Sequence, residues 1–493
     1  MAPYRRPEWT FSGRGVPPWR RSGWVPSPIK RSPRSTSPSE GSGDTRAPHT
    51  GGAYSFARSA MGPWGGFLTG LAENMEYVIT PAVVVSAIAL LMQEIVAGLF
   101  DIQGSPWWNS LPFWWAVFYV IFVGINIIGI EATMRFTVAI TVSSIAVLAF
   151  FFVAAIFSGK LDFSLWTNVP KGGGEAIAGG GGPLFPFGIS GIFKSLPFAI
   201  WFFLAIEEVP LAAEESMDPR RDVPSGSVLA MHTLLIAAVL TLIFNTALPG
   251  GAVLYGQSPF PLLDGLYAIF GKGNATELLG LLFVIGLVAS FFTIIFAYGR
   301  NTYSLSRAGY FPKFLSMTHG QRKTPHVALI AGAVVGYVVS VVVYILQQKE
   351  LGTQVVAALL NMAVFAAVIS YIMQMTSFVL LRHKLPNIAR PYRSRWGVPG
   401  AVVAGGLAAV SLIAIFLNSA YRPGVYGVAV YYILGILYFA IAGRHRLVLS
   451  PEEEFALTRG ERGVPQETYV TSTEEQEAIL RGEASGAPQM PPA

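Results

Sequence analysis

Long apolar runs recur along most of the chain, and they constrain its fold more than any other feature. A transmembrane helix needs about 20 mostly apolar residues, and ten runs meet this requirement. Only 13% of the 493 residues are charged, against about a quarter in a typical soluble protein. The sequence therefore predicts an all-α, multi-pass integral membrane protein embedded in the lipid bilayer. The ten predicted transmembrane helices lie at about residues 64–98, 111–131, 134–157, 191–213, 227–248, 277–299, 326–347, 354–381, 398–418 and 423–443. Pro81 divides the first run, which is long enough for one tilted helix.

Basic residues sort the connections between these runs into two sets. Successive connections lie on opposite sides of the membrane, so they are assigned in turn to two sets, starting with the segment before Pro63. One set carries sixteen Lys and Arg residues, and the other carries six. Short loops rich in Lys and Arg stay in the cytoplasm. This asymmetry predicts that both termini are cytoplasmic in the inner or plasma membrane, and it requires an even number of spans.

Composition excludes several kinds of site. The chain has no cysteine, which excludes disulfides, thiolate catalysis and cysteine-ligated metals. The net charge of +6 is not a signal for nucleic-acid binding, because the first 46 residues alone hold nine basic and three acidic residues. We expect no resident cofactor, no metal centre and no nucleic-acid partner.

The two ends of the chain differ from its middle. Residues 1–47 are rich in Pro, Ser and Arg and have no apolar period, which predicts a disordered basic arm. Residues 48–446 form the predicted transmembrane domain, and residues 447–493 form a polar cytoplasmic tail. Within the transmembrane domain, "KGGGEAIAGGGG" at 171–182 has the composition of a flexible linker.

Three stretches carry a resemblance to a known family: "PHTGGAYSFARSAMGPWGGFLTG", "FFLAIEEVPLAAEESMDPRRDVP" and "YGRNTYSLSRAGYFPKFLSMTHGQRKTP". They resemble, in order, three motifs of the amino acid–polyamine–organocation (APC) superfamily. Those motifs lie between the family's second and third helices, along and after its sixth helix, and after its eighth helix. The similarity covers roughly residues 48–446, and all three stretches fall on the predicted cytoplasmic side.

This resemblance implies a LeuT-like inverted-repeat fold and a secondary active transporter that works by alternating access, not an enzyme. "GLAENMEYVITPAV" and "AIEEVPLAAEE" look most like the ethanolamine-permease branch. The implied solute is a small amine or amino acid, with ethanolamine favoured, and transport would be coupled to H⁺ or Na⁺ or proceed by exchange. Two alternatives stay open, a neutral amino-acid permease or exchanger and a transport-dead membrane scaffold.

The resemblance also implies that the chain lacks two helices. Family members typically have twelve, with two before the T-G-G motif, so the ten runs correspond to the third through the twelfth. Our hypothesis is that residues 1–46 are not native sequence and arose from a frameshift or a start in the wrong frame. The alternative is a genuine cytosolic arm on a shortened transporter. Translating the other two frames of the gene and its upstream region separates the two.

A helix break is predicted within 191–213. Pro210 removes a backbone donor and disfavours a helical residue before it. The resemblance places Ala205 where the family has a glycine at the break of its sixth helix. It also places Trp201 where the family has an aromatic residue that closes over substrate, and Phe202 and Phe203 are candidates for the same role. Core or lipid-facing packing is the alternative for all three aromatic residues.

Two acidic sites are predicted inside the membrane, where an unpaired carboxylate costs several kcal/mol. Glu207 matches the family's acid after the break and, with the extra acid Glu208, is a candidate for proton coupling or gating. Capping of unwound backbone is the alternative role for one of them. Glu73 and Glu76 lie three residues apart and share a helix face with Tyr77. Carboxylates beside an aromatic ring suit an ammonium group, although an internally paired structural role is equally compatible with the sequence.

Ser144 stands where some relatives carry a lysine that acts as a built-in cation. Na⁺ could bind there through hydroxyl and carbonyl oxygens, or protons could couple through an acid elsewhere. The sequence leaves both possibilities open.

Overall fold

The computed structural model describes residues 52–102, 106–216, 218–319, 322, 324–346, 352–384, 386, 393–417 and 422–448. The predicted disordered arm lies outside the described residues, as does the predicted tail apart from residues 447 and 448. Every described residue belongs to one compact unit, 43–493.

The described residues form α-helices, short 3-10 helices and connecting turns, and they contain no β-strand. The α-helices are α1 (Gly52–Phe100), α2 (Leu111–Ile128), α3 (Ile130–Phe157), α4 (Gly188–Phe202), α5 (Pro219–Thr246), α6 (Gly251–Gln257), α7 (Pro261–Phe270), α8 (Asn274–Arg307), α9 (His326–Leu346), α10 (Gly352–Lys384), α11 (Gly397–Leu417) and α12 (Arg422–Ile441).

Nine stretches of the described chain are long and apolar enough to cross a membrane. They are α1, α2, α3, α5, α8, α10, α11, α12 and the stretch Gly188–Ala213, which combines α4 with the 3-10 helix after it. The remaining predicted span, 326–347, is α9, whose apolar part within the described residues, His326–Val342, is shorter. The structure thus contains a helix at each predicted position. It adds the short helices α6 and α7, which were not predicted.

The first helix bends at Gly62 and not at Pro81. Gly62 has φ 78° and ψ −171°, and it is the residue inside α1, away from its ends, that has non-helical dihedral angles. A positive φ is strained for residues that have a Cβ atom but accessible to glycine. Proline keeps φ near the helical value and is tolerated inside membrane helices, so the expectation that Pro81 divides the helix was wrong. We call residues 52–61 α1a and residues 63–100 α1b.

The bend at Gly62 folds α1a back along α1b as a tight antiparallel hairpin. A Cβ atom added at Gly66 would lie 2.7 Å from the Cβ of Arg58, and one at Gly70 would lie 3.3 Å from the Cβ of Tyr54. Glycine at both positions therefore lets the two segments approach closely, as small residues do between membrane helices.

Helix α1 is central to the bundle and packs mainly against α10 and α8. Its apolar side chains share one large buried cluster with α2 and α8, in which Tyr77, Ile88, Phe291 and Tyr298 are almost completely buried. A second cluster joins Met75 and neighbouring α1 residues to α10 and α12.

Side chains from separate predicted cytoplasmic loops meet at one end of the bundle, which we call the basic end. The Arg58 guanidinium donates to the backbone oxygen of Val448 over 2.9 Å and lies 5.3 Å from the ring centroid of Tyr310. The Lys384 ammonium donates to the backbone oxygen of Ala60. The alternation of loops inferred from basic residues therefore agrees with the connectivity of the bundle.

The glycine-rich loop at 171–182 is folded on itself and does not behave as the expected linker. The amide of Gly182 donates to the Thr167 carbonyl over 2.7 Å, and the amide of Ile177 donates to the Asn168 carbonyl over 2.8 Å. Such backbone bonds fix the loop beside the preceding 3-10 helix, Phe163–Thr167.

Candidate functional site

The fourth helix stops in the middle of its apolar run, where the sequence predicted a break. Helix α4 ends at Phe202, and Ala205 has φ 72° and ψ 6°, in the left-handed region. A 3-10 helix, Ile206–Glu215, then continues and includes Pro210. The left-handed conformation costs an alanine roughly 1–2 kcal/mol, so the surrounding structure holds this break in place.

The break redirects the chain so that the two acids after it face α1. Glu207 and Glu208 lie in the first turn of the 3-10 helix, and each has one buried carboxylate oxygen. On α1b, Glu73 and Glu76 are 2% and 1% exposed.

The four acids interact with one another, and we call them the acid pocket. Glu207 is a charged neighbour of both Glu73 and Glu76, and its carboxyl group lies within hydrogen-bonding reach of that of Glu76. Glu208 and Glu73 are the other charged groups that act on Glu76, so every charged neighbour of Glu76 identified in the described chain is another acid. Buried like charges repel strongly and need a cation or a proton between them.

Several polar atoms of this region have no hydrogen-bond partner among the described residues. They are one oxygen each of Glu73, Glu207 and Glu208 and the hydroxyl of Tyr77. Both oxygens of Glu76 are buried without a hydrogen-bond donor, and the Glu76 carboxyl group lies within hydrogen-bonding reach of that of Glu207. Buried polar groups in native proteins are nearly always paired, and each exception calls for an explanation. A bound solute, ion or water at the acid pocket would satisfy these atoms.

Tyr371 is a member of the site that the sequence analysis missed. Its hydroxyl donates to an oxygen of Glu207 over 2.9 Å, from helix α10. A tyrosine hydroxyl inside an apolar run was the available signal. Its partner lies 164 residues away in the sequence, and no local pattern connects the two residues.

Glu73 has a second set of contacts. Its carboxylate accepts hydrogen bonds from the backbone amides of Ala53 and Tyr54, which lie in the first turn of α1a. This arrangement supports the structural alternative for Glu73, since a carboxylate at a helix N-terminus satisfies free amide groups there. The other Glu73 oxygen is buried and without a partner among the described residues.

The three predicted aromatic residues differ in position. Trp201 is half-buried and packs where three apolar clusters meet, one of which contains Tyr77. Phe202 is 43% exposed, while Phe203 is half-buried and directly follows the last residue of the helix. Trp201 is therefore the aromatic residue of the three that the packing brings closest to the surroundings of the acid pocket.

Ser144 lies apart from these residues. Its hydroxyl donates to the Ile140 carbonyl of its own helix over 2.7 Å. The same hydroxyl lies 3.5 Å from the backbone oxygen of Ile285 on α8. Helix α3 packs chiefly against α8, α2 and α5. The structure thus joins Glu73, Glu76, Tyr77, Glu207 and Glu208 in one region but does not bring Ser144 to it.

A cluster of four acids raises the question of metal binding. Within the described residues, no three His, Cys, Asp or Glu side chains are arranged to hold one metal ion. What the pocket offers is negative charge, several free acceptor atoms and aromatic surface, and this combination suits organic cations and protons.

Comparison with known proteins identifies the family of this chain. Residues 43–441 match the family model described as amino acid permease. The chain belongs to this family, which is part of the APC superfamily. Its members are transporters and not enzymes, and the multi-pass helical fold of the chain agrees with this assignment.

Individual relatives match over most of their length. A transporter of Rhizobium meliloti without an assigned substrate is 28% identical, over 79% of this chain and 77% of the relative. The branched-chain amino acid permease of Bacillus subtilis is 22% identical over 81% and 80% of the two chains. The L-asparagine permease of Escherichia coli is 26% identical over 79% and 74%.

Proposed function

We propose that this permease carries a small organic amine, of which ethanolamine is the favoured example. The observation that carries the proposal is the acid pocket, in which Glu76 has two buried oxygens that meet no hydrogen-bond donor and has acids as its charged neighbours. An ammonium group would supply three hydrogen-bond donors and a positive charge at this point. A carboxylate group would be repelled by the same acids.

Aromatic surface beside the acids supports this choice of solute. Tyr77 follows Glu76 directly and is buried in the same region, and Trp201 packs against its apolar cluster. The methylene groups of a small amine can rest on such rings while the ammonium group meets the carboxylates. Phe202, Phe203 and the broken backbone at Ala205 are proposed to line the path toward this pocket.

Coupling through protons at Glu207 and Glu208 is the mechanism that we favour. A proton and a substrate cation would compete for the same carboxylates, so exchange of one for the other needs no further group. Coupling through Na⁺ at Ser144 is the alternative, and it would require that the Ser144 hydroxyl leave the Ile140 carbonyl.

Amino acids are the second candidate class of solute. Relatives of this chain are named as permeases for L-asparagine and for branched-chain amino acids. The carboxylate of an amino acid would need donors that the acid pocket lacks, and backbone amides at the break after Phe202 are the candidates. A preference for zwitterions over amines would favour this alternative.

Uptake into proteoliposomes tests the proposal. Purified protein is reconstituted, and radiolabelled ethanolamine, L-asparagine and L-leucine are offered under a pH gradient or a Na⁺ gradient. We expect ethanolamine to accumulate under the pH gradient more than either amino acid. Accumulation of an amino acid without ethanolamine would contradict the amine proposal, and dependence on Na⁺ alone would contradict proton coupling.

The proposed function includes an orientation of the chain in the membrane. Both termini are proposed to face the cytoplasm, on the strength of the basic loops that meet at the basic end. Labelling of a single cysteine placed near the basic end in intact cells distinguishes this orientation from its inverse.

A further inference from the structure

The segment that follows the last helix folds back over the basic end. Residues 443–448, which we call the strap, come after α12 and run past the turn at the end of α8. The amide of Val448 donates to the Ala308 carbonyl over 3.1 Å. A Cβ atom added at Gly309 would lie only 2.0 Å from the carbonyl oxygen of Arg446. The strap therefore lies directly against this turn, with no room for a side chain at Gly309.

The strap also contacts α1a, which lies at the other end of the sequence. Arg58 of α1a is 0% exposed, and its guanidinium donates to the Val448 carbonyl over 2.9 Å. A buried guanidinium needs acceptors for its charge, and the strap supplies one of them. Leu447 packs against the apolar cluster that contains Tyr54 of α1a and Tyr310. One charged contact and one apolar contact thus connect the strap to α1a.

The construction of α1a makes its position dependent on such contacts. It spans only residues 52–61, fewer than the about 12–15 residues that an isolated helix needs. It is joined to α1b through Gly62, whose backbone has a positive φ and, as a glycine, has access to many other conformations. A short helix on a glycine hinge is held in place by its neighbours, and the strap is one of them.

On its other side, α1a packs against the helix that carries two acids of the acid pocket. A Cβ atom added at Gly52, the first residue of α1a, would lie 3.2 Å from the Cδ2 atom of Leu211. Leu211 is 2% exposed and belongs to the 3-10 helix Ile206–Glu215, which carries Glu207 and Glu208. The short helix α1a therefore lies between the strap and this 3-10 helix.

We propose that the strap is a latch for α1a: when docked it keeps α1a seated against the 3-10 helix, and when undocked it releases α1a. Without the strap, Arg58 loses a buried acceptor, and the cost of an unsatisfied buried charge favours movement of the guanidinium into water. Gly62 provides the hinge for that movement. The polar residues 449–493 follow the strap directly, so a factor that binds them can act on α1a through the latch. This proposal does not depend on the identity of the solute.

A labelling experiment tests the latch without any solute. Because the chain has no cysteine, Ala57→Cys introduces a single thiol in α1a at a position that is 0% exposed. The rate of its reaction with a maleimide in detergent reports how often α1a leaves its seat. Gly309→Ala places a methyl group where the strap backbone lies. It should raise the rate about tenfold or more, the value of a hydrogen bond to a charged group.

Gly271→Ala is the matched control for Gly309→Ala. Both glycines follow a helix and have nearly the same positive φ, 82° at Gly271 and 86° at Gly309. Alanine is therefore similarly strained at the two positions, but a Cβ atom at Gly271 would meet nothing within 4 Å. The control should leave the labelling rate unchanged. An equal increase in both variants would overturn the latch, because backbone strain alone would then explain the effect.

Two further variants test the contacts of the strap. Leu447→Asn removes the apolar contact without touching the turn after α8, and it should also raise the rate of labelling. In the Arg58→Met background, which keeps a side chain of similar length without the charge, Gly309→Ala should raise the rate by only about threefold or less. An undiminished effect in that background would overturn the role of the buried guanidinium and with it the latch.

A second reporter separates release of α1a from general loosening of the fold. Ala155→Cys places the single thiol on α3 at a position that is likewise 0% exposed. Gly309→Ala and Leu447→Asn should leave labelling at this position unchanged. Faster labelling at both reporters would overturn the latch, since the whole bundle would then be loosened. Unchanged labelling of the Ala57→Cys reporter in both strap variants would overturn it as well.

Discussion

The acid pocket and the basic end differ in the groups that surround their buried charged side chains. At the basic end, Arg58 donates to a backbone oxygen and contacts the Tyr310 ring, and Tyr54 lies within hydrogen-bonding distance of Ser304. In the acid pocket, Glu76 is equally buried, yet neither of its oxygens meets a donor among the described residues, and its nearest polar neighbour is the carboxyl group of Glu207.

This difference separates a region held together by hydrogen bonds between distant segments from one in which acids meet. Hydrogen bonds between distant segments rigidify a structure, whereas buried acids in mutual contact cost stability unless something else satisfies them. Under the proposed function, the acid pocket binds a cation, and the cost of its buried acids is offset when that cation enters.

The largest expected effect is on binding at the acid pocket. Glu76→Gln keeps the shape of the side chain and removes its charge, so we expect the Kd for ethanolamine to rise roughly 10- to 100-fold, the value of a charge-assisted hydrogen bond. Scintillation proximity binding on purified protein measures this, and Glu94→Gln, which changes an exposed acid of the same helix, should bind as the parent does. An unchanged Kd for Glu76→Gln would show that ethanolamine does not bind at the acid pocket.

The next effect concerns the stability of the basic end. A Cβ atom at Gly66 would lie 2.5 Å from the Tyr310 hydroxyl, so Gly66→Ala should lower the free energy of unfolding by about 1–3 kcal/mol through overpacking. Gly286→Ala on α8, where a Cβ would meet nothing within 4 Å, is the control. Thermal unfolding in detergent compares them, and equal stability of the two variants would show that the hairpin is not tightly packed.

A smaller effect is expected where one hydroxyl supports the pocket. Tyr371→Phe removes the hydrogen bond to Glu207 and should weaken ethanolamine binding about two- to tenfold, with little change in unfolding. Measuring both quantities on the same preparation separates the two roles. A large loss of stability with normal ethanolamine binding would show that Tyr371 stabilises the fold and does not support the pocket.

The smallest effect is expected at Ser144. Its hydroxyl bonds the carbonyl of its own helix, so Ser144→Ala should change uptake by less than about twofold and stability by less than about 0.5 kcal/mol. Uptake under a Na⁺ gradient is the relevant measurement. A strong loss of uptake that occurs only under the Na⁺ gradient would show that Na⁺ couples at Ser144 on α3.

The sequence predicted most of the fold because hydropathy alone identifies membrane helices. The run at 111–131 became Leu111–Ile128, and the break near Ala205 followed from Pro210 and the resemblance to the permease family. The grouping of acids was also foreseeable, since Glu73 and Glu76 occur in an apolar run where each needs a functional or structural partner.

The parts that the sequence did not predict depend on distant contacts. The hairpin at Gly62 forms because Gly66 and Gly70 meet residues of a short helix that has no long apolar run of its own. The glycine-rich loop is held by amides that find carbonyls of Thr167 and Asn168, a pairing that composition does not encode. The capping of α1a by Glu73 likewise exists only once the hairpin has formed.

A competition experiment on purified protein tests the central claim most directly. Radiolabelled ethanolamine is bound at equilibrium and challenged with ethylamine, alanine and propionate, which differ in charge but have similar sizes. If the acid pocket receives a cation, ethylamine displaces the label, alanine does so only at much higher concentration, and propionate does not. Displacement by alanine at the lowest concentration, displacement by propionate, or no saturable binding of ethanolamine would contradict the account.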